Sequence, residues 1–315
     1  MRYDDKRAEH LERVSLESSR VDLSSPLVFL CGGEVDIRKP FLSIRSALID
    51  HWHCKKFKYC DSLTLAEHFK DWINDSVYQD LVLFENDLAS VSSLIVLILE
   101  SPGALAELGL FVRSSHINEK LVVVVNDEHY NSLSFIKLGP LRHLERINSR
   151  GICAYPWDFS DLASSLPPVL DEICGDLVSC LDVLDKSEAF DAENKGHMAF
   201  LIFEVVRIYR ALKLTEIELY LSKLAVSLSR DELKRLLFLL EKIQLVRSVR
   251  RGHQTYYHVL SETVRINFAG SFDERASRMA AMQFYALSDS EKQRIEVIKT
   301  AYTEPASVQT TGVQA

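Results

Sequence analysis

The apolar run Leu94-Ile95-Val96-Leu97-Ile98-Leu99 is followed at once by Glu100-Ser101-Pro102-Gly103, and then by Ala104-Leu105-Ala106-Glu107-Leu108-Gly109. An unbroken apolar run that stops at a Pro-Gly pair and resumes with helix formers reads as a buried strand, a tight turn and a helix from about Ala104 to Ser114. Pro102 and Gly103 shape the turn and let a ligand approach the backbone closely. Ala104, Ala106 and Gly109 keep the neighbouring helix positions small. Glu107 is then expected in the first helical turn, where free N–H groups and the helix dipole favour its ionised form. Such a carboxylate, at the edge of a nucleotide-type pocket, suits attack on an anomeric carbon. A glycosyl-enzyme ester splits glycosidic cleavage into two easier steps. A glutamate in a first turn also serves simply as a capping charge, and the residues by themselves leave both roles open.

The other apolar runs end on polar or glycine residues as well. Cys31-Gly32-Gly33 follows the strand at 26–30, Asp61 follows a strand at 57–60, and Asn126-Asp127 stops Leu121–Val125. Gly32 and Gly33 either leave room and N–H donors for a phosphate or ribose, or merely turn the chain into a helix. Asp61, Glu85 and Asn86 are candidates to hold ribose hydroxyls or to exchange a proton with a leaving base. Glu85 falls within a helical stretch, which suits a surface role equally. Glu100 bonds either the substrate or its own loop, and Asp127 either a ligand or the next segment.

Several chemistries drop out. Cys54 and Cys60 lie near His51 and His53, but the six cysteines form no C-x-x-C pair and match no common zinc spacing. No metal and no other cofactor is expected. No G-x-x-x-x-G-K-[ST], G-x-S-x-G or H-E-x-x-H occurs, and Gly32-Gly33 is not a G-x-G-x-x-G fingerprint. P-loop, esterase, zincin and hydride-transfer chemistry are therefore not expected.

These residues need a scaffold. Strands at 26–30, 57–60, 94–99, 121–125 and 151–155, with helices at 40–52, 64–74, 77–91, 104–114 and 137–147, alternate regularly. Continuous Val/Ile/Leu strands separated by helices predict an α/β, doubly wound parallel sheet of flavodoxin- or Rossmann-like type. Ligands bind beyond the carboxyl ends of such strands, which is where the residues above converge. The expected division is an N-terminal helical arm at 1–20, the α/β domain at 21–160 and a helical connector at 161–213. A winged helix-turn-helix with a C-terminal helix follows at 214–302, then a disordered tail at 303–315.

The winged-helix expectation rests on two short helices, from Leu214 and from Ser229, followed by a hairpin over 244–260. Ser229 and Glu232 have capping-box spacing. Twelve Lys/Arg against six Asp/Glu between Lys195 and Tyr257 make this stretch +6 within a chain of net charge −8, leaving −14 elsewhere. That asymmetry points to a polyanion contact through Arg230, Lys234, Arg235, Arg247, Arg250 and Arg251, with a purely structural winged helix as the other reading. The chain starts without a signal-peptide h-region, and its longest apolar run is far too short to span a bilayer, so a cytoplasmic protein without membrane contact is expected.

Pro102-Gly103 with Glu107-Leu108-Gly109 resembles the (P)G-x-x-x-E-[LI]-G element of nucleoside 2-deoxyribosyltransferase-like N-glycosidases. In those enzymes the glutamate is the nucleophile, a role the resemblance implies for Glu107. Four blocks together resemble the effectors of retron anti-phage systems, which join such a domain to a C-terminal winged helix. They are Phe29–Gly33, Glu85-Asn86, Glu100–Gly103 with Glu107–Gly109, and Ser134-Phe135-Ile136 with Gly139-Pro140. The resemblance implies a toxic glycohydrolase with NAD+ or a related nucleotide as substrate. It also implies restraint by a retron reverse transcriptase and its RNA-linked single-stranded DNA (msDNA), in an oligomer or higher assembly. Deoxyribosyltransferases carry Asp before the glycine turn and Thr after it, where this chain has Ser101-Pro102 and Ala104. Hydrolysis is therefore expected rather than base exchange. The alternative is a nucleotide-responsive winged-helix transcription regulator without catalysis.

Overall fold

The computed structural model describes residues 7–36, 38, 41–65 and 77–303. Its elements are β1 (Val14–Asp22), β2 (Val28–Cys31), α1 (Ile44–Cys54), β3 (Leu63–Thr64), α2 (Leu81–Val91), β4 (Leu94–Ile98) and α3 (Pro102–Phe111). They continue through α4 (Ser115–Asn118), β5 (Leu121–Asn126), α5 (Asp127–Asn131), α6 (Arg142–Ile147), β6 (Ile152–Tyr155), α7 (Leu162–Val183) and β7 (Ser187–Ala189). The last are α8 (Lys195–Tyr209), α9 (Leu214–Lys223), α10 (Arg230–Lys242), β8 (Val246–Arg251), β9 (Gln254–Val259), β10 (Ile266–Gly270), α11 (Glu274–Leu287) and α12 (Lys292–Thr303). Most of the helix expected over 64–74, and the tail beyond 303, lie outside the described residues.

The chain divides into an α/β unit, 25–70 with 88–185, and a helical unit, 1–24 with 71–87 and 186–315. The α/β unit holds a five-stranded parallel sheet in the order β3-β2-β4-β5-β6. Counted along the chain, that is 2-1-3-4-5, the flavodoxin-like order. Every residue of β2, β4 and β5 is buried, which is why these strands read as unbroken apolar runs rather than alternating ones. Val28, Leu30, Val96, Ile98, Val122 and Val124 share one core with Leu48 and Trp52 of α1 and Ile173, Leu177 and Leu181 of α7. On the intervening residues, Phe29 meets Phe111 of α3 edge-on, with ring centroids 6.3 Å apart.

Three expectations about the scaffold need correction. The strand placed at 57–60 is a turn: Lys56 and Tyr59 have positive φ, and Phe57, Cys60 and Ser62 donate backbone hydrogen bonds back along the chain. The strand that joins β2 is instead the two-residue β3. The connector expected from 161 does not begin there, because α7 buries Leu166, Ile173 and Leu181 in the α/β core and the division falls at 185/186. The arm expected to be helical over 1–20 is a 3-10 helix at Arg7–Arg13 followed by β1. β1 pairs antiparallel with both β7 and β10, partners so distant along the chain that local pattern gives no hint of them.

In the helical unit, α8 is buried along its whole length from Gly196 to Tyr209. The buried and half-buried carboxylates here are held by arginines. Glu216 accepts from Arg7 at 3.0 Å and from both terminal nitrogens of Arg294 at 2.7 and 2.8 Å. Arg294, fully buried, also reaches Glu291 and the Ala211 carbonyl, each at 2.6 Å. Glu204 pairs with Arg207 at 2.8 Å and accepts the N–H groups of Arg265 and Ile266. Among the described residues, no helix is long and apolar enough to cross a membrane.

Candidate active site and basic module

The strand order reverses at β2 and β4: β2 has β3 on one side and β4 on the other, in register Cys31 to Leu97. Their carboxyl ends release Gly32-Gly33 and Glu100–Gly103 side by side, at the point where open α/β sheets hold ligands. The loops are tied together by Glu100. Its Oε1 accepts the N–H groups of Gly33 at 2.9 Å and Arg45 at 3.0 Å, and its Oε2 accepts that of Ile44 at 2.6 Å. Ile44 and Arg45 open α1, so the carboxylate satisfies N–H groups that a helix start leaves unpaired. Burial pushes the Glu100 carboxyl up, against the lowering effect of those three bonds. The Arg45 guanidinium, itself buried, donates to the carbonyls of Leu30 at 2.5 Å and Gly33 at 3.2 Å.

This arrangement accounts for the glycine pair. A Cβ on Gly33 would lie 2.9 Å from Glu100 Oε1, and one on Gly32 3.1 Å from the same atom. The glycines thus make room for the protein's own carboxylate, and the Gly33 N–H is spent on it. Cys31 ends β2 as a buried thiol.

The second loop starts α3. Ser101 is its N-cap, accepting the Ala104 N–H at 3.1 Å, and Pro102 takes the first helical position, where a missing N–H costs nothing. The helix therefore begins two residues earlier than expected. Glu107 stands in its second turn rather than its first, beyond the unpaired N–H groups. The dipole argument for its ionisation falls away accordingly. Its position on the helix is informative in another way. Ala104, Leu108 and Phe111 form the buried stripe of α3, and the half-buried Glu107 sits beside that stripe. Helical spacing puts Glu107 one turn after Gly103, on the same side of α3. A Cβ on Gly103 would meet nothing closer than Ser101 Oγ at 3.8 Å, and one on Gly109 nothing within 4 Å. Neither glycine is required by protein packing, although glycine costs a helix up to ~1 kcal/mol relative to alanine.

At the ends of β5 and β6, Asn126 is buried and caps α5 by accepting the Glu128 N–H at 2.9 Å. It also donates to the Trp157 carbonyl at 2.6 Å, joining the two strand ends. Asp127 is the first residue of α5, half-buried. Phe159 stacks on His129 with centroids 5.6 Å apart and meets Trp157 edge-on at 5.9 Å. Asn126 as a linker, and the aromatic set of His129, Trp157 and Phe159, escaped the sequence reading. Their signal was position, since Trp157 and Phe159 directly follow the last strand.

The remaining candidates lie elsewhere. Asp61 is exposed and precedes β3, so in a parallel sheet it sits at the amino edge, opposite the loops just described. Glu85 is buried on α2 rather than at the surface, with Asn86 beside it in sequence. Both fall in the stretch 71–87 that groups with the helical unit, so they are not among the residues the α/β unit itself assembles. Of the basic candidates, Arg230 lies 3.6 Å from Glu218, Lys234 3.9 Å from Asp231, and Arg235 3.7 Å from the buried Asp87. The Ser229–Glu232 capping box is present at the start of α10. Arg247, Arg250 and Arg251 lie on the β8–β9 hairpin.

A family model described as "STM3845 retron effector protein" matches residues 42–248 of this chain. The chain belongs to that family. The retron effector match takes in α1, the whole Glu100–Gly109 element and residues 71–87 and 186–248 of the helical unit. Two proteins of Escherichia coli are also similar. One, provisionally named as the ribosyltransferase/DNA-binding protein of retron Ec86, is 30% identical over 125 residues, 40% of this chain and 39% of its own. The other, with the same provisional name in retron Ec73, is 31% identical over 117 residues, 36% of each chain. Both matches span less than two fifths of the relative's length.

Proposed function

We propose that this retron effector is an N-glycosidase that cleaves the nicotinamide–ribose bond of NAD+, or the equivalent bond of a related nucleotide, with Glu107 as nucleophile. The observation that carries the reading is the placement of Glu107. It stands in the second turn of α3, one helical turn after Gly103, on the element that follows the carboxyl end of β4 where the sheet order reverses. The ribosyltransferase part of the relatives' names supports it.

In the first step a Glu107 oxygen bonds C1′ of the ribose while the C1′–N bond breaks, its electron pair leaving with the base. In the second, water adds to C1′, the ester C–O bond breaks, the carboxylate is regenerated and a proton passes to solvent. A pyridinium leaves as neutral nicotinamide and needs no proton, whereas an ordinary nucleobase needs an acid. Glu100 is poorly suited to supply one, because both its oxygens accept main-chain N–H groups. That favours a cationic leaving group. Gly32, Ser101, Pro102 and Gly103 would shape the ribose site, with Asp127 across the edge. No metal or redox cofactor enters the scheme.

In the same reading α9, α10 and the β8–β9 hairpin act as a winged helix that docks on a retron reverse transcriptase and its msDNA. This assembly restrains the enzyme until infection. The test is to express the wild type and Glu107→Gln in cells and to follow NAD+ and nicotinamide by mass spectrometry. Loss of NAD+ with release of nicotinamide in the wild type alone is expected. Equal loss in both would remove Glu107 from the mechanism, and no loss in either would remove NAD+ as the substrate.

A further inference from the structure

The charge of the helical unit is largely spent within the unit. Arg207 is held by Glu204 and Glu274, Arg210 by Glu262, Lys223 by Glu12, and Lys195 and Arg235 by Asp87. Arg250 and Arg251 have no carboxylate partner among the described residues; their guanidinium groups reach only the backbone carbonyls of Gly252 and Arg250. Together with the exposed Arg247 they place three cations on one six-residue strand. Alternation along β8 puts Arg247 and Arg251 on one face of the hairpin and Arg250 on the other, flanking its tip. The tip is a two-residue turn at Gly252-His253, with Gly252 at φ +59°.

Helix α10, the one a helix-turn-helix would lay in a groove, is by contrast covered along its middle and exposed only around its first turn. Leu236, Leu237, Phe238, Leu239 and Leu240 are consecutive and all buried. Five residues exceed one helical turn, so α10 is enclosed all round there. An outward strip through Lys234 would continue at Leu237 and Phe238. Tyr78 packs on Phe238 with ring centroids 5.9 Å apart, and its hydroxyl lies 3.3 Å from the Arg235 carbonyl and 3.1 Å from Asp87 Oδ2. The stretch 77–87 therefore closes over this side of α10, and Asp87 takes up Arg235.

We infer that this effector grips single-stranded nucleic acid by its phosphates, through Arg247, Arg250 and Arg251 of the β8–β9 hairpin, and that α10 anchors the 77–87 stretch instead of reading bases. The inference rests on the nucleic-acid part of the function proposed above and fixes its surface and mode. Phosphate contacts from a hairpin are independent of sequence and sensitive to salt.

The test is fluorescence anisotropy of the full chain with labelled, mixed-sequence single-stranded DNA over a range of salt. It compares the wild type with an Arg247→Gln/Arg250→Gln/Arg251→Gln variant and an Arg230→Gln/Lys234→Gln variant, each checked by thermal melting. The hairpin variant should lose most of its affinity at low salt, its log–log salt slope falling by about 2 for three lost phosphate contacts. The helix variant and strands of unrelated sequence should match the wild type. Loss in the helix variant with retention in the hairpin variant, or strong preference for one duplex sequence, would overturn the hairpin assignment while leaving nucleic-acid binding in place. No binding by the wild type would overturn that underlying reading as well.

Discussion

Half-buried carboxylates organise both units, but with different partners. In the α/β unit Glu100 is satisfied by three main-chain N–H groups. In the helical unit Glu216 is satisfied chiefly by the side chains of Arg7 and Arg294. Main-chain partners fix a loop conformation and force glycine wherever the backbone must come close. Arginine partners fix helix packing and consume positive charge that the sequence displays openly. A glutamate at a strand end therefore need not face a ligand, and a basic stretch need not face a polyanion.

The contrast can be broken at several points, and the largest effect is expected at Arg294. Arg294→Met leaves the half-buried Glu216 and the buried Glu291 without their main partner and should cost about 3 kcal/mol or more. Urea unfolding would show this as a lowered midpoint. The same cluster sets an acid limit. Burial alone would raise the Glu216 carboxyl, but Arg294 and its other partners outweigh it and hold it below its ordinary value of 4.5. A depressed folded-state pKa contributes stability that is present above about 4.5 and lost as the pH falls below it. Thermal melting across that range should show Glu216→Gln to be less stable than wild type at neutral pH, with the gap narrowing in acid.

Gly33→Ala is next. Its Cβ would press on Glu100 Oε1 from 2.9 Å, and the displacement should cost about 1–3 kcal/mol by the same unfolding measurement. Ser101→Ala removes the cap of α3 and should cost about 1 kcal/mol. The smallest effects sharpen the contrast most. Gly109→Ala, where a Cβ meets nothing within 4 Å, should stabilise α3 by under ~1 kcal/mol and leave nicotinamide release unchanged. Gly103→Ala should be no less stable than wild type yet slow that release, because in the proposed function its Cβ enters space assigned to the substrate. Equal activity in the two alanine variants would show that the Gly103 turn is not part of the site.

Much of the α/β unit was legible because its signals are local. The runs at Leu94 and Leu121 are buried strands as expected, and in the helical unit the equally local pair Ser229 and Glu232 forms its capping box. What escaped depends on contacts far apart in sequence or on backbone angles that residue type does not reveal. β1 pairs with β10, Tyr78 packs on Phe238, and positive φ at Lys56 and Tyr59 turns an apparent strand away from the sheet. Glu107 was singled out for its residue type and spacing, but its turn was misplaced because Pro102 begins the helix rather than preceding it. Asp61 was misplaced with its strand: β3 begins after it, which moves it from the carboxyl edge to the amino edge.

The most direct test of the central claim is nicotinamide release from NAD+ by the purified chain, wild type beside Glu107→Gln. The account predicts stoichiometric nicotinamide and ADP-ribose from the wild type and a rate lower by roughly a thousandfold or more in the variant, as for a lost nucleophile. Equal rates in the two proteins would contradict it.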